Sequence, residues 1–564
     1  MDLQDVFYDP SIIALVLERD SVSETYMRNN PYIQFKKDLA GGYSIIYVKV
    51  VDVNKVVSNI EDYVTNLYPL VLGLIGTSEL SAAGILQVQQ QPFLSLMGKG
   101  VLLGFIDTGI DYTQSAFRYE DGDSKILAIW DQSIRGDTPP DGYPYGTEYS
   151  NEQLNQALKS SNPLEIVPHE DTVGHGTFLA SVAGGRKTGE NIGAAPDAEI
   201  IAVKLRSSRT FDRAYFQIPP TQENAFSSDD FMMGVQYIVD KAINLQKPVA
   251  ICISLGTNTG AHDGLLPLAR YISRISSIIG VTVCAGAGNE GQVGHHTHGR
   301  LAKAGDTQDV EIKVGNTFED VNLSIWNSAT DRISVSIKSP TGEQIPRMPA
   351  RSGASYTNNL VLERASVTVR YLFPIERGAQ VSRIIIYSAT PGVWNITVHA
   401  DVILDGAYHA WLPITGFIDP ATAFLRPTPS YTIVTPANAD GIITCGAYNS
   451  RDKSLASFSS QGPTRLSAIK PDLVAPGVDV SGIYPGGPGT MSGTSVAAAI
   501  TTGACALLLQ WGIVEKNDVS IDSYRIRNYL VAGCERDPNT EYPNNQWGYG
   551  RLNLLNTFRS LRPQ

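Results

Sequence analysis

The sequence predicts an α/β protein: a parallel sheet with helices on both faces, a small α+β unit before it, and an inserted antiparallel β-sandwich of jelly-roll-like character. The first observation is alternation. VLLGFI (101–106), AEIIAVKL (198–205), PVAICISLG (248–256) and VTVCAGAG (281–288) are short, nearly continuous apolar runs. Between them TFLASVAGG, DDFMMGVQYIVDKAINL and LARYISRISSIIG carry helical spacing. Strands apolar on both faces belong to sheets covered on both faces. The second observation is a change of period. From 301 to 429, DVEIKVG, NLSIWN, ISVSIKSP, SVTVRYLF, RIIIYSA and VWNITVHADV alternate apolar and polar residues, with turn signals such as SPTGE and TPGVW between them. Period two at short intervals predicts a sandwich. The third lies in the first hundred residues: strands SIIALVL and GGYSIIYVKV, an amphipathic helix NKVVSNIEDYVTNL and a strand YPLVLGLIG. At 564 residues the chain exceeds one compact core. The boundaries read 1–77, 78–300, 301–429 and 430–564.

Composition narrows the function. A net charge of −12 argues against a nucleic-acid partner, because phosphate neutralisation needs a basic face. No apolar run reads as long enough to span a bilayer. MDLQDVFYDPSIIALVLERD has no positive region before its apolar stretch, so it is not a usual secretory signal and the chain is expected to be made in the cytoplasm. Cys252, Cys284, Cys445, Cys505 and Cys534 are odd in number and sit in apolar segments; they read as reduced and buried. GHHTHG (294–299) holds His295, His296 and His298 but no Cys or carboxylate at ligand spacing, and it reads as a solvated loop. Asp121-Gly122-Asp123 lacks the rest of a calcium-loop pattern. No metal and no cofactor is expected.

Three segments carry the chemistry. Asp107 ends the run VLLGFI and precedes Thr108-Gly109, a buried strand closing in a tight turn. His175 lies between Gly174 and Gly176 at the start of a small-residue helix. Ser495 follows Met491-Ser492-Gly493-Thr494 and opens VAAAITTGACALLL. Alone, these read as a turn cap, a structural imidazole and a helix N-cap. Together they supply an acid, a base and a nucleophile: an alcohol attacks a carbonyl well only when an imidazole takes its proton and a carboxylate orients that imidazole. Asn289, in the glycine-rich turn after VTVCAGAG, is the candidate oxyanion donor beside the Ser495 amide. Ser254, Leu255 and Gly256, with Ala285, Gly286, Ala287 and Gly288, offer small residues whose backbone edges could pair with an extended substrate.

On these motifs, in the order Asp, His, Ser, the chain resembles the subtilisin-like (S8, subtilase) serine peptidases. SFSSQGP (457–463) and KPDLVAPG (470–477) are further family-like blocks. The resemblance implies a subtilisin-like fold, a serine endopeptidase, and the roles given above for Asp107, His175, Ser495 and Asn289. Ala499 departs from the proline that many subtilases carry four residues after the nucleophile. The N-terminal unit resembles the family's prodomain, which assists folding and plugs the cleft. Self-cleavage is then expected near Thr77-Ser78, within 74–80, with the cleaved prodomain staying bound.

More narrowly, SKILAIWDQ (124–132), the insertion after the Asn289 motif and the N-terminus resemble the Csp germination proteases of spore-forming clostridia. That implies a protein substrate, the zymogen of a cortex-lytic enzyme, and a place in the cortex or coat region of the spore. Two alternatives stand beside it: a blocked or silent scaffold regulating germination, and an intracellular housekeeping subtilase.

Overall fold

A computed structural model of the chain describes residues 5–28, 30–57, 68–74, 82–91, 94–136, 138–189, 191–316, 319–375 and 379–561. At its centre is an eight-stranded sheet. Its order is Leu473–Pro476, Ile443–Tyr448, Val281–Gly286, Val249–Ile253, Leu102–Asp107, Glu199–Lys204, Ile126–Asp131 and Thr147–Ser150. Every neighbouring pair is parallel except the last, an antiparallel edge. The side-chain period of two splits each strand between two cores. Leu103, Phe105, Ala250 and Cys252 pack with the helices His175–Gly184 and Thr494–Leu509, whereas Leu102, Ile106, Val249 and Ile251 pack with Ser228–Leu245 and Pro267–Ile275.

The expected run NKVVSNIEDYVTNL appears as the helix Val53–Val57, and its remainder lies outside the described residues. The N-terminal unit is a three-stranded antiparallel sheet ordered Ile12–Glu18, Tyr43–Lys49, Ile33–Leu39. Ile12, Ala14, Val16, Ile45 and Tyr47 point into the core shared with the helix pair Ser228–Leu245 and Pro267–Ile275. Ile13, Leu15, Leu17, Ile46 and Val48 point the other way onto Val53, Val56 and Met27. The middle strand is therefore buried on both faces from Tyr43 to Val48. Its partner IQFKKDL is polar enough to escape periodicity reasoning, as an edge strand carrying lysines does.

The insertion is a two-sheet antiparallel sandwich of six and five strands closed over one core. It begins earlier than residue 301. His296–Arg300 is its first strand, paired with Ala407–Trp411, so the reading of GHHTHG as a solvated loop is overturned. His295 and His296 are buried: His295 Nδ1 lies 2.7 Å from Glu290 Oε2, and His296 stacks on Trp411 with ring centroids 4.9 Å apart. Glu290 satisfies the His295 ring, whereas His296 is held by stacking and its Nδ1 has no hydrogen-bond partner among the described residues. A second correction concerns apolar length. The helical stretch Thr494–Val514, 21 residues, is long and apolar enough to cross a bilayer, and it is almost wholly buried against the central sheet as a core helix.

Candidate active site

Asp107, His175 and Ser495 come from distant stretches to one end of the sheet. Asp107 is the last residue of the strand Leu102–Asp107. His175 opens the helix His175–Gly184, and close packing explains its flanking glycines. A Cβ on Gly176 would lie 2.2 Å from the Gly109 carbonyl oxygen and 3.1 Å from Asp107 Cβ. Only a bare backbone lets that helix reach the carboxylate. Ser495 is the second residue of the helix Thr494–Leu509. Gly286 does the same service there, since a Cβ on it would meet Thr494 C and O at 2.9 Å.

His175 Nδ1 lies 2.8 and 2.9 Å from the two Asp107 oxygens. Donation to a carboxylate places the ring proton on Nδ1 and leaves Nε2 as acceptor, 3.4 Å from Ser495 Oγ. That last distance is loose, as nucleophile–base contacts are before substrate arrives. All three side chains are buried. Burial pushes the Asp107 carboxyl up, but the nearby His175 charge and hydrogen bonds from His175, Ser254 Oγ and the Thr108 N–H together hold it below the usual carboxylate range. An ionised Asp107 is what an imidazolium on His175 needs opposite it.

Asn289 Oδ1 accepts from the Thr494 N–H at 3.1 Å and from Thr494 Oγ1 at 3.3 Å. With its oxygen spent on Thr494, the amide keeps Nδ2 as donor. The Ser495 N–H stands in the first turn of its helix, where backbone donors have no intrahelical acceptor. Side-chain and backbone donors are thus brought to the start of the same helix, an arrangement able to hold an oxyanion.

The other site residues divide. Leu255 and Gly256 do present a strand edge, and the chain's own segment Val71–Leu74 lies on it, with Leu74 opposite Leu255 and Gly73 opposite Gly256. Phe226–Ser227 pairs with the segment's other side, so the strand is sandwiched between two edges. Ser254 instead turns its hydroxyl onto Asp107 Oδ2. The expectation of free edges at Ala285, Gly286, Ala287 and Gly288 is overturned. Ala285 and Gly286 sit in the central sheet, the Ala287 N–H donates to Cys445 O at 2.9 Å, and Gly288 N–H donates to Thr494 Oγ1 at 3.0 Å. Thr77 and Ser78 lie outside the described residues. All five cysteines are free and buried, and burial pushes the Cys284 thiol far up, away from any nucleophilic role.

Two groups escaped sequence reasoning. Asp171, four residues before His175, accepts from Thr108 Oγ1 (2.8 Å), the Gly174 N–H (2.8 Å), the Thr177 N–H (2.9 Å) and Thr177 Oγ1 (2.6 Å). It ties the turn after Asp107 to the first turn of the His175 helix. His169 and Asp131 form a second, fully buried imidazole–carboxylate pair at 2.6 Å, and the Ile110 N–H donates to His169 Nε2 at 3.3 Å. With Nε2 taken by a backbone N–H, that ring has no nitrogen left to serve a nucleophile, and the pair braces residues 107–110.

The chain matches the family described as Subtilase family over residues 98–348 and 425–550. Among solved structures it is similar to the CspB protease of Clostridium perfringens, 32% identical with a TM-score of 0.76, covering 86% of this chain and 99% of that one. Among curated proteins it is 32% identical over 153 residues to serine protease AprX of Bacillus subtilis, a match to 23% of this chain and 32% of AprX. It is also 32% identical over 143 residues to the membrane-bound transcription factor site-1 protease of Mus musculus, 24% of this chain and 13% of that protein. The chain thus spans a third or less of these curated relatives.

Proposed function

Since the chain belongs to the subtilase family, we propose that it is a serine endopeptidase cutting protein substrates through an acyl-enzyme on Ser495. Ser495 Oγ attacks the scissile carbonyl as His175 Nε2 takes its proton; Asp107 stabilises the imidazolium. Asn289 Nδ2 and the Ser495 N–H hold the oxyanion. His175 then gives the proton to the leaving amine, and water repeats the sequence on the ester. The observation that carries this reading is one ring bridging a buried carboxylate and a serine hydroxyl. Ser495→Ala should abolish self-processing and cleavage of protein added in trans. Intact mass of the two purified proteins tests it: a Ser495→Ala chain recovered as the same two fragments refutes self-cleavage.

The N-terminal unit is proposed to be a prodomain, cut near Thr77-Ser78 and kept in place. Its strand Val71–Leu74 occupies the edge a substrate would use. Its contact surface is charged: Tyr47 donates to Asp229 Oδ2 at 3.1 Å, Arg206, itself paired with Asp230 at 2.8 Å, donates to Phe7 O, and Glu18 meets Arg270 at 2.8 Å. Removing the unit would take partners from Asp229, Arg206 and Arg270, which favours retention. A role in spore germination, by limited proteolysis of a cortex-lytic zymogen in the spore, is supported by the likeness to CspB and by SKILAIWDQ. Expression confined to sporulating cells and zymogen cleavage by the purified protein would test it; absence of both refutes it.

A further inference from the structure

A cavity of about 100 Å³ lies where the central domain, the inserted sandwich and the N-terminal segment meet. Its walls include Tyr68 from the segment, Tyr215 and Asn258 from the central domain, and Trp326, Arg383 and Trp411 from the sandwich. It continues the strand path. The Leu70 N–H donates to Ser228 Oγ at 2.8 Å and Leu70 O accepts from the Ser228 N–H at 2.7 Å, so Leu70 to Leu74 is held along its backbone. Two residues upstream, the Tyr68 ring packs at a tilt against Tyr215 with ring centroids 4.7 Å apart, and the Arg383 guanidinium lies 4.2 Å from the centre of that Tyr215 ring. Tyr215, Trp326 and Trp411, with the Arg383 guanidinium among them, make this an aromatic wall carrying one cation, shaped for a ligand that bears a ring.

We propose that this cavity is a distal substrate subsite. It takes an aromatic side chain, carried two residues N-terminal to the backbone-held stretch of the substrate, at the position held at rest by Tyr68. The inference rests on the peptidase reading above. It also gives the insertion a task, because the sandwich adds the indole rings of Trp326 and Trp411 and the Arg383 guanidinium to the Tyr215 ring of the central domain.

Full-length protein is labelled at Ser495 with a fluorophosphonate in the presence of the peptide Tyr-Pro-Leu-Val-Leu-Gly-Leu (68–74) or its Tyr68→Ala form. The tyrosine peptide should halve the labelling rate at a concentration at least tenfold lower than the alanine peptide. In Tyr215→Ser protein the two peptides should protect alike, and in Trp326→Phe protein the advantage should shrink. Equal protection on the unaltered protein, or an advantage that survives Tyr215→Ser, overturns the subsite while the labelling leaves the peptidase reading standing. No labelling at Ser495 under any condition overturns the peptidase reading, and the subsite falls with it.

Discussion

Asp171→Asn is the sharpest perturbation the site offers, because it changes almost no volume. Asp171 is 3% exposed, and its two oxygens divide four donors: Gly174 N–H and Thr108 Oγ1 on Oδ1, Thr177 N–H and Oγ1 on Oδ2. The hydroxyls can rotate to accept from an amide NH2. The backbone N–H groups cannot, so in either orientation of the substituted amide one of them faces a donor. A hydrogen bond to a charged acceptor contributes about 1.5–3 kcal/mol, and a stranded buried donor costs about 1–3 kcal/mol more. The expected loss of unfolding stability is therefore about 3 kcal/mol or greater, on those same magnitudes. The effect reaches the chemistry because Gly174 immediately precedes His175, and Gly176 has no spare room against Gly109. A displacement of about 1 Å in a reacting group costs on the order of 100-fold in rate. Urea unfolding and the rate of fluorophosphonate labelling at Ser495 measure the two effects. A stability loss below about 1 kcal/mol, the low end for one stranded donor, with labelling within about threefold of the unaltered protein would refute the claim that Asp171 positions the His175 helix.

Gly176→Ala should slow labelling by about 100-fold or more, since its Cβ would fall 2.2 Å from a backbone oxygen that no side-chain rotation relieves; near-normal labelling refutes the packing argument. His409 sits in the histidine cluster of the sandwich, where burial, with Arg465 and His298 nearby, pushes its pKa down to about 3; its Nδ1 shares a 3.2 Å hydrogen bond with His296 Nε2. The unfolded chain then binds the extra proton between about pH 6.5 and 3, so stability should fall as pH drops through that window, by at most about 1.4 kcal/mol per pH unit from this group. Urea unfolding between about pH 4 and 7, a range that overlaps this window, should show a shallower slope in His409→Gln, and an unchanged slope refutes the assignment. Burial pushes the Cys252, Cys284, Cys445 and Cys534 thiols up, so native protein should react with a thiol-specific disulfide reagent only as fast as it unfolds. Rapid reaction of any of these would overturn that.

The central sheet was legible because its strands are apolar on both faces and alternate with helical stretches, of which Ser228–Leu245 is long. VLLGFI and PVAICISLG could hardly be anything other than buried parallel strands, and they stand side by side. The sandwich was legible for the opposite reason, one face wet and one dry, as in DVEIKVG with Val310 and Ile312 inside. Its first strand was missed. HTHGR has no apolar side chain at all, and the burial of its first residue depends on Trp411 and Tyr431, brought alongside from more than a hundred positions away. Polarity alone misplaces a segment whose polar rings find stacked partners.

At the site, the Asp107–His175–Ser495 chain of contacts is legible in the sequence, and the groups that brace it, Asp171 and the His169–Asp131 pair, are not. Asp107, His175 and Ser495 stand in short motifs because each needs local backbone geometry: a strand end, a glycine-flanked helix start, a helix first turn. Ala285 to Gly288 share the small-residue character of a substrate edge, yet their smallness serves internal packing, as the Gly286 approach to Thr494 shows. Ser254 acts through its hydroxyl and not its backbone, one residue before the edge at Leu255 begins. A strand that ends by bonding Asp107 and continues as a docking edge couples the two tasks physically. The carboxylate that orients His175 and the edge that aligns a bound strand share one piece of backbone, so a residue that distorts either distorts both.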